Sequence, residues 1–194
     1  MLNFLLIPIW WAAILSAPQV QILTYDVFHG DSKVGQMHVE RTVQGSTTII
    51  KSRMEVEVSL VFTLKVVSEH EAQYRNGEMV AGKVRIFQND NLKSYTNCWR
   101  ADGALQVDRD GDRFSVEMPI LYTSLNAFFS PPESHPSPVF SERLGGYQTF
   151  VRLDDGRFKL IIEDGHSSYY RYRDGSCHIL EIDTWMSDLR LVRK

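Results

Sequence analysis

Length, composition and charge place the chain among ordinary folded proteins and exclude one class of partner. Its 194 residues are enough for one domain with a sizeable core. Hydrophobic residues make up 43% and charged residues 23%, as in a typical globular domain. The formal net charge is −3, and no block of basic residues occurs. The sequence therefore predicts no nucleic-acid partner, because such partners require a clustered basic surface.

An apolar run over residues 2–17 opens the chain. It is shorter than the roughly 20 residues that a membrane-spanning helix needs, and it suits the apolar region of a secretory signal. Ser16 and Ala17 supply the small side chains of a cleavage site. We therefore predict a signal peptide over 1–19, a single antiparallel β domain over 20–194, and export to the periplasm or the medium. An uncleaved anchor and a core segment are the alternatives.

Strand and turn patterns dominate the rest of the chain. Residues 50–58 alternate between two faces, with Ile50, Ser52 and Met54 on one and charged residues on the other, which indicates a half-buried strand. Asn or Asp precedes Gly at six places, and this pair favours a two-residue hairpin turn because both residues tolerate positive φ. The six pairs are Asn76-Gly77, Asp102-Gly103, Asp110-Gly111, Asp155-Gly156, Asp164-Gly165 and Asp174-Gly175. We predict about eleven strands, among them 22–28, 35–43, 50–58, 62–74, 80–87, 92–99, 104–108, 114–118, 158–162 and 179–182.

Two stretches depart from this pattern. Residues 58–62 contain no turn residue, so either one long strand bends there or the chain reverses without glycine. Apolar residues at 121, 125 and 128–129 have helical spacing and predict one short helix near residues 120–129. Four prolines over 131–138 then exclude helix and central strand. Similar strands on both sides favour a long crossover within one domain.

These elements predict an all-β fold. A sheet of this many antiparallel strands twists and tends to curl or close. We expect a curved sheet that forms a barrel or half-barrel, with the short helix against its opening.

Cysteines and histidines give no metal-binding pattern. Cys98 and Cys177 are the only cysteines, and they are either one disulfide in an oxidising compartment or two separate buried thiols. None of the six histidines has ligand spacing, so the sequence predicts neither a metal site nor a cofactor. We expect His38 and His70, which fall in strands, on solvated faces.

No catalytic motif is present either. A Gly-x-Ser-x-Gly elbow is missing. The run from Asp108 to Asp112 has the alternating carboxylates of a calcium loop, but Gly and Glu are not at the required positions, so a hairpin is the better interpretation. We assign no catalytic residue.

Aromatic residues in the second half are the candidates for ligand binding. Some of them are expected to line an apolar pocket at the mouth of the barrel, the usual ligand position in such folds. The alternative is that they fill the core or cover the outer face. The candidate residues are Trp99, Tyr122, Phe128, Phe129, Tyr147 and Tyr170.

Several motifs resemble those of exported bacterial β-rich families known only as domains of unknown function. They are Tyr25-Asp26-Val27-Phe28, Lys33-Val34-Gly35, residues 71–79, residues 139–143, residues 155–160 and residues 170–175. The resemblance covers most of 22–193 and implies a signal-bearing envelope protein without an assigned activity. Some similar folds, such as periplasmic lipoprotein carriers, hold acyl chains in a curved sheet. This analogy concerns the fold alone.

Three functional hypotheses follow. The first is a non-enzymatic envelope protein that binds a lipid or another apolar or amphipathic small molecule in a β half-barrel. The second is a structural or assembly module that binds an envelope protein through a sheet edge or an apolar patch. The third is a hydrolase that uses scattered Asp, Glu or His residues, which requires a cleft with at least two titratable groups in hydrogen-bond reach.

Overall fold

The computed structural model describes residues 17–59, 63–131, 138–162, 166–183 and 188–194. Most of the predicted signal peptide, residues 1–16, lies outside the described residues. The described residues form one single-turn 3-10 helix, Asn126–Phe128, and fourteen strands. The strands are β1 (Gln19–His29), β2 (Ser32–Gln44), β3 (Thr47–Ser59), β4 (Thr63–Arg75), β5 (Glu78–Gln88), β6 (Asn91–Ala101), β7 (Ala104–Arg109), β8 (Asp112–Glu117), β9 (Val139–Ser141), β10 (Gly146–Arg152), β11 (Phe158–Ile161), β12 (Ser167–Arg173), β13 (Ser176–Ile182) and β14 (Leu189–Arg193).

All fourteen strands belong to one antiparallel sheet, which confirms the predicted all-β fold. The order is β8-β7-β6-β5-β4-β3-β2-β1-β14-β13-β12-β11-β10-β9. The chain thus runs as a meander from β1 to β8, crosses over, and returns as a second meander that ends beside β1. Tyr25 lies between Met37 of β2 and Arg193 of β14 in this register. The β1–β14 pairing therefore joins the two meanders into one curved sheet.

The hairpin turns follow the sequence pattern closely. At four of the six predicted pairs both turn residues have positive φ, as a type I′ turn requires: 76–77, 102–103, 110–111 and 174–175. At 155–156 only the glycine does. The pair at 164–165 lies outside the described residues.

At residues 58–62 the structure decides between the two alternatives. β3 and β4 are antiparallel neighbours with Ser59 opposite Thr63, so the chain reverses between them. Four strands lie outside the ten ranges that we predicted from the sequence, namely β9, β10, β12 and β14.

The predicted helix near 120–129 is much shorter than expected. Its backbone groups bond to neighbouring elements instead of closing helical turns: Met79 N donates to Ile120 O at 2.9 Å, and Phe140 N donates to Tyr122 O at 3.1 Å. Ser124 N donates to Phe140 O at 2.8 Å. Because these pairings use carbonyls and amides that a helix would need, a single 3-10 turn remains.

Residues 119–131 and 138–145, which we call the interior segment, lie inside the curve of the sheet. Tyr172 Oη donates to Ala127 O at 2.8 Å, and the buried rings of Tyr25 and Phe128 meet edge to face with 5.7 Å between centroids. Thr96 Oγ donates to Arg143 O at 2.6 Å. The segment thus contacts both meanders, and its burial supplies much of the core that the sheet alone could not form.

Within the described ranges, no helix has the length and apolar character that crossing a membrane as a helix requires.

Candidate functional site

A cavity of about 150 Å³ lies between the two meanders. One wall comes from inward-facing residues of β2, β3 and β4, the opposite wall from β12 and β13, and the cover from the interior segment. Its twelve lining residues are Met37, Ser52, Met54, Ser68, His70, Ser124, Leu125, Phe128, Ser168, Tyr170, Leu180 and Ile182. Several of them, including Met54, Ser68 and Ile182, keep partial exposure, so the cavity is accessible to solvent.

The inward positions follow from strand periodicity. Side chains two residues apart share a face, so Ile50, Ser52 and Met54 of β3 all point toward the core. Across β4, Ser52 is opposite His70, and Met54 is opposite Ser68. On the other wall, Ser168 is opposite Ile182 and Tyr170 is opposite Leu180. Both walls therefore mix hydroxyl groups with apolar side chains.

His70 is a neutral member of this site. Its Nε2 lies 2.9 Å from Ser68 Oγ. Burial, aided by the positive charge of Arg143, lowers the pKa of His70 to about 4. From the sequence we expected this ring on a solvated face. That was wrong because β4 carries polar residues on both faces, so its inward face could not be identified from the pattern.

A prediction for stability follows from His70. Above pH 6.5 the ring is neutral in both states, and as the pH falls to about 4 only the unfolded chain takes up the proton. The contribution of the neutral His70 ring to the free energy of unfolding is thus complete above pH 6.5 and is lost as the pH falls towards 4. A shift of this size corresponds to ~3 kcal/mol, and partial exposure of the ring reduces it to about 2 kcal/mol.

Urea unfolding between pH 7 and pH 4 checks this on His70→Gln. Across that range the free energy of unfolding of the variant is expected to fall by about 2 kcal/mol less than that of the wild type. Ser46→Gln, in the exposed turn between β2 and β3, serves as the control and should lose as much as the wild type. Parallel curves for His70→Gln and the wild type would show that the ring titrates as in the unfolded chain.

Glu142 joins the two parts of the interior segment and is 1% exposed. Its carboxylate accepts hydrogen bonds from the Thr123 and Ser124 hydroxyls and, at 3.2 Å, from Leu125 N. Burial raises the pKa of Glu142, and these bonds oppose the shift. Because Ser124 and Leu125 line the cavity, this carboxyl group fixes the position of the cavity's cover.

The six aromatic candidates do not form one site. Phe128 and Tyr170 line the cavity, with 6.5 Å between ring centroids. Tyr122 and Phe129 are buried elsewhere in the core. Trp99 and Tyr147, each 43% exposed, are not among the residues that line it. The methionines, serines and histidine of the cavity were not among the sequence candidates, although Ser52 on an otherwise apolar strand face was a signal that could have identified one of them.

The two cysteines are free and buried. Cys98 lies on β6 and Cys177 on β13. Burial raises the pKa of each thiol to about 12, so both stay protonated at neutral pH and are unreactive as nucleophiles. The described residues also contain no group of three or more His, Cys, Asp or Glu side chains that could hold a metal ion.

The larger hollows lie on open surface. The largest described ones have volumes of about 490 Å³ and 520 Å³ and are lined mainly by charged residues. In the first, Arg53 already pairs with Glu55 and Glu69. Surface groups that satisfy one another in this way provide little for a ligand, which leaves the inner cavity as the candidate site.

The fold and this interior define a β-barrel-like protein whose curved sheet encloses a segment of its own chain and a small cavity. The chain belongs to the family described as a domain of unknown function, DUF6134, whose model matches residues 25–194.

A solved structure has the same fold. It is the crystal structure of a beta-barrel-like protein of domain of unknown function DUF1849 from Brucella abortus, with a TM-score of 0.62. The two chains are 12% identical over 89% of this chain and 94% of the other. At this identity the likeness concerns the fold alone. A search of curated proteins found no match.

Proposed function

We propose that this chain is an exported cell-envelope protein without enzymatic activity that binds a small apolar or amphipathic molecule in its inner cavity. The apolar run before β1 supports export to the periplasm or the medium. The observation that carries the binding proposal is the cavity itself. It has an apolar lining that includes Met37, Met54 and Leu180, and a few converging polar groups, which is the usual composition of a small-molecule site.

The methionines favour a binding role over simple core packing. Met37 and Met54 are neighbours on β2 and β3, and both reach the cavity. Methionine side chains are flexible and polarisable, and they adapt their shape to different apolar ligands. A cavity lined on one side by two of them can adjust to an occupant without movement of the sheet.

Filling the cavity tests the proposal. Ser168→Leu places an apolar side chain inside it, where Ser168 is 5% exposed. Isothermal titration with phenol and with toluene, both about the size of the cavity, is expected to give dissociation constants of about 0.1–1 mM for the wild type. We expect at least about ten-fold weaker binding for Ser168→Leu.

Ser46→Leu is the matched control, since Ser46 is exposed in the turn between β2 and β3. It should bind both probes like the wild type. Absence of binding to the wild type, or equal binding by Ser168→Leu, would refute the proposed site.

The assembly hypothesis is favoured by a different observation. β1 begins at Gln19, whereas the β14 strand pairs with β1 only over Tyr25–His29. Val20 and Ile22 in this stretch are 55% and 60% exposed. Such an open strand edge can pair with a strand of an envelope partner. Ile22→Lys should then abolish cross-linking to that partner and leave probe binding in the cavity unchanged.

A further inference from the structure

The cavity also indicates which chemistry its ligand has, an inference that rests on the proposed function. We infer that it selects an uncharged molecule of about one six-membered ring that carries a hydroxyl or carbonyl group. The inference stands on the volume of the cavity, the unpaired hydroxyls in its walls and the absence of an available charge among its described lining residues.

The volume sets the size of the ligand. Apolar protein cavities of about 150 Å³ bind benzene, and this cavity has the same volume. An acyl chain of a membrane lipid is much larger. A single ring, or a chain of similar volume, fills the space between Met37 on one wall and Leu180 on the other.

Unpaired hydroxyls provide the selection for a polar group. Ser52 and Ser168 are each 5% exposed and Tyr170 is 4% exposed, and all three line the cavity. Among the described residues, none of these hydroxyls has a hydrogen-bond partner, whereas the Ser68 hydroxyl bonds to His70 and the Ser124 hydroxyl to Glu142. Their oxygen atoms keep some accessible surface, because His178 Nδ1 is the one fully buried side-chain polar atom without a partner among the described residues. These hydroxyls are therefore free to donate to a ligand hydroxyl or carbonyl inside a site that holds little water.

The charges around the site exclude an ion. His70 is neutral at pH 7, and Arg143, whose positive charge acts on His70, is not among the residues that line the cavity, so neither side chain pairs with an anion inside it. Both carboxylate oxygens of Glu142 already accept hydrogen bonds from Thr123, Ser124 and Leu125, so they are not available to a cation. A charged ligand would therefore lose its hydration without gaining a counter-ion.

Titration of the full-length protein with phenol, toluene and benzoate at pH 7 tests the inference. Phenol is expected to bind about ten-fold more tightly than toluene, which lacks the hydroxyl, and than benzoate, which is charged. In a variant that combines Ser52→Ala with Ser168→Ala, the advantage of phenol over toluene should fall below about three-fold, since two of the three hydroxyls are gone. Ser115→Ala, an exposed change on β8, should keep the wild-type ratio.

The outcomes separate this inference from the proposed function. If phenol and toluene bind the wild type equally, or if benzoate binds most tightly, the ligand class is wrong although the cavity binds small molecules. If the double variant keeps the wild-type preference for phenol, the hydroxyls do not select the ligand. If none of the three probes binds, both the proposed function and the ligand class fail.

Discussion

Replacing Glu142 by alanine is expected to reduce the free energy of unfolding by about 3–5 kcal/mol. The change removes the acceptor for the Ser124 hydroxyl and for Leu125 N, leaves the Thr123 hydroxyl with Asn126 Oδ1 as its acceptor, and creates an empty space at a position that is 1% exposed. Each buried donor left without a partner costs about 1–3 kcal/mol. Urea unfolding at pH 7 measures the loss. Glu117→Ala, on the exposed face of β8, should change stability by less than about 0.5 kcal/mol.

Glu142→Gln separates the hydrogen bonds from the charge. An amide keeps the size of the side chain and its acceptor oxygen, so most of the stability should remain at pH 7. Because burial raises the pKa of Glu142 above its ordinary value of 4.5, the folded state holds a proton that the unfolded chain has already lost. The contribution of the protonated Glu142 to stability is complete below pH 4.5, and it decreases as the pH rises through the pKa of Glu142 in the folded state.

The wild type should therefore lose stability over that interval relative to Glu142→Gln. The direction is opposite to the effect of His70, which destabilises the fold as the pH falls, so the two variants distinguish the two groups. A difference between wild type and Glu142→Gln that stays constant with pH would mean that Glu142 titrates as in the unfolded chain.

Gly35→Ala is expected to destabilise the protein by at least about 3 kcal/mol. A Cβ atom at Gly35 would overlap with the carbonyl oxygen of Glu55 and lie 2.9 Å from the Cα of Val56. These are backbone atoms of the paired strand β3, so no side-chain rotation relieves the clash and the strands themselves must separate. Gly35 is also adjacent in the β1–β2 pairing to the register shift between Val27 and Phe28. Thermal unfolding should show a clearly lower Tm.

Gly146→Ala is the matched control for that experiment. Its added Cβ would meet no atom within 4 Å, and its backbone is not in the left-handed region. We expect a change of less than about 1 kcal/mol. Equal effects of the two substitutions would show that the loss of glycine flexibility, and not the close approach of β2 and β3, determines the result.

The sheet could be predicted from the sequence, because its determinants are local. Alternation over 50–58 and the Asn-Gly and Asp-Gly pairs specify strands and reversals within a few residues. The helix near 120–129 was overestimated, since its apolar spacing reflects burial inside the sheet. Met79 and Phe140, distant in sequence, take up its backbone groups.

The cavity could not be predicted in the same way. Its walls come from β2–β4 and β12–β13, which meet because β14 pairs with β1 and closes the curve. Nothing local in the sequence fixes that pairing. In the sequence, Ser52 on an apolar strand face and the mixed faces of β4 were the only signals of the cavity. The aromatic candidates Trp99 and Tyr147 instead lie partly exposed at the surface.

Methyl NMR of the protein labelled at its methionines tests most directly whether small molecules enter the cavity. Met37 and Met54 line it, whereas Met79 is fully buried against Gly82 and serves as an internal reference. Adding phenol is expected to shift the methyl signals of Met37 and Met54 in a saturable manner and to leave Met79 unchanged. Saturable binding without shifts at Met37 and Met54, or equal shifts at all three, would contradict the inner cavity as the binding site.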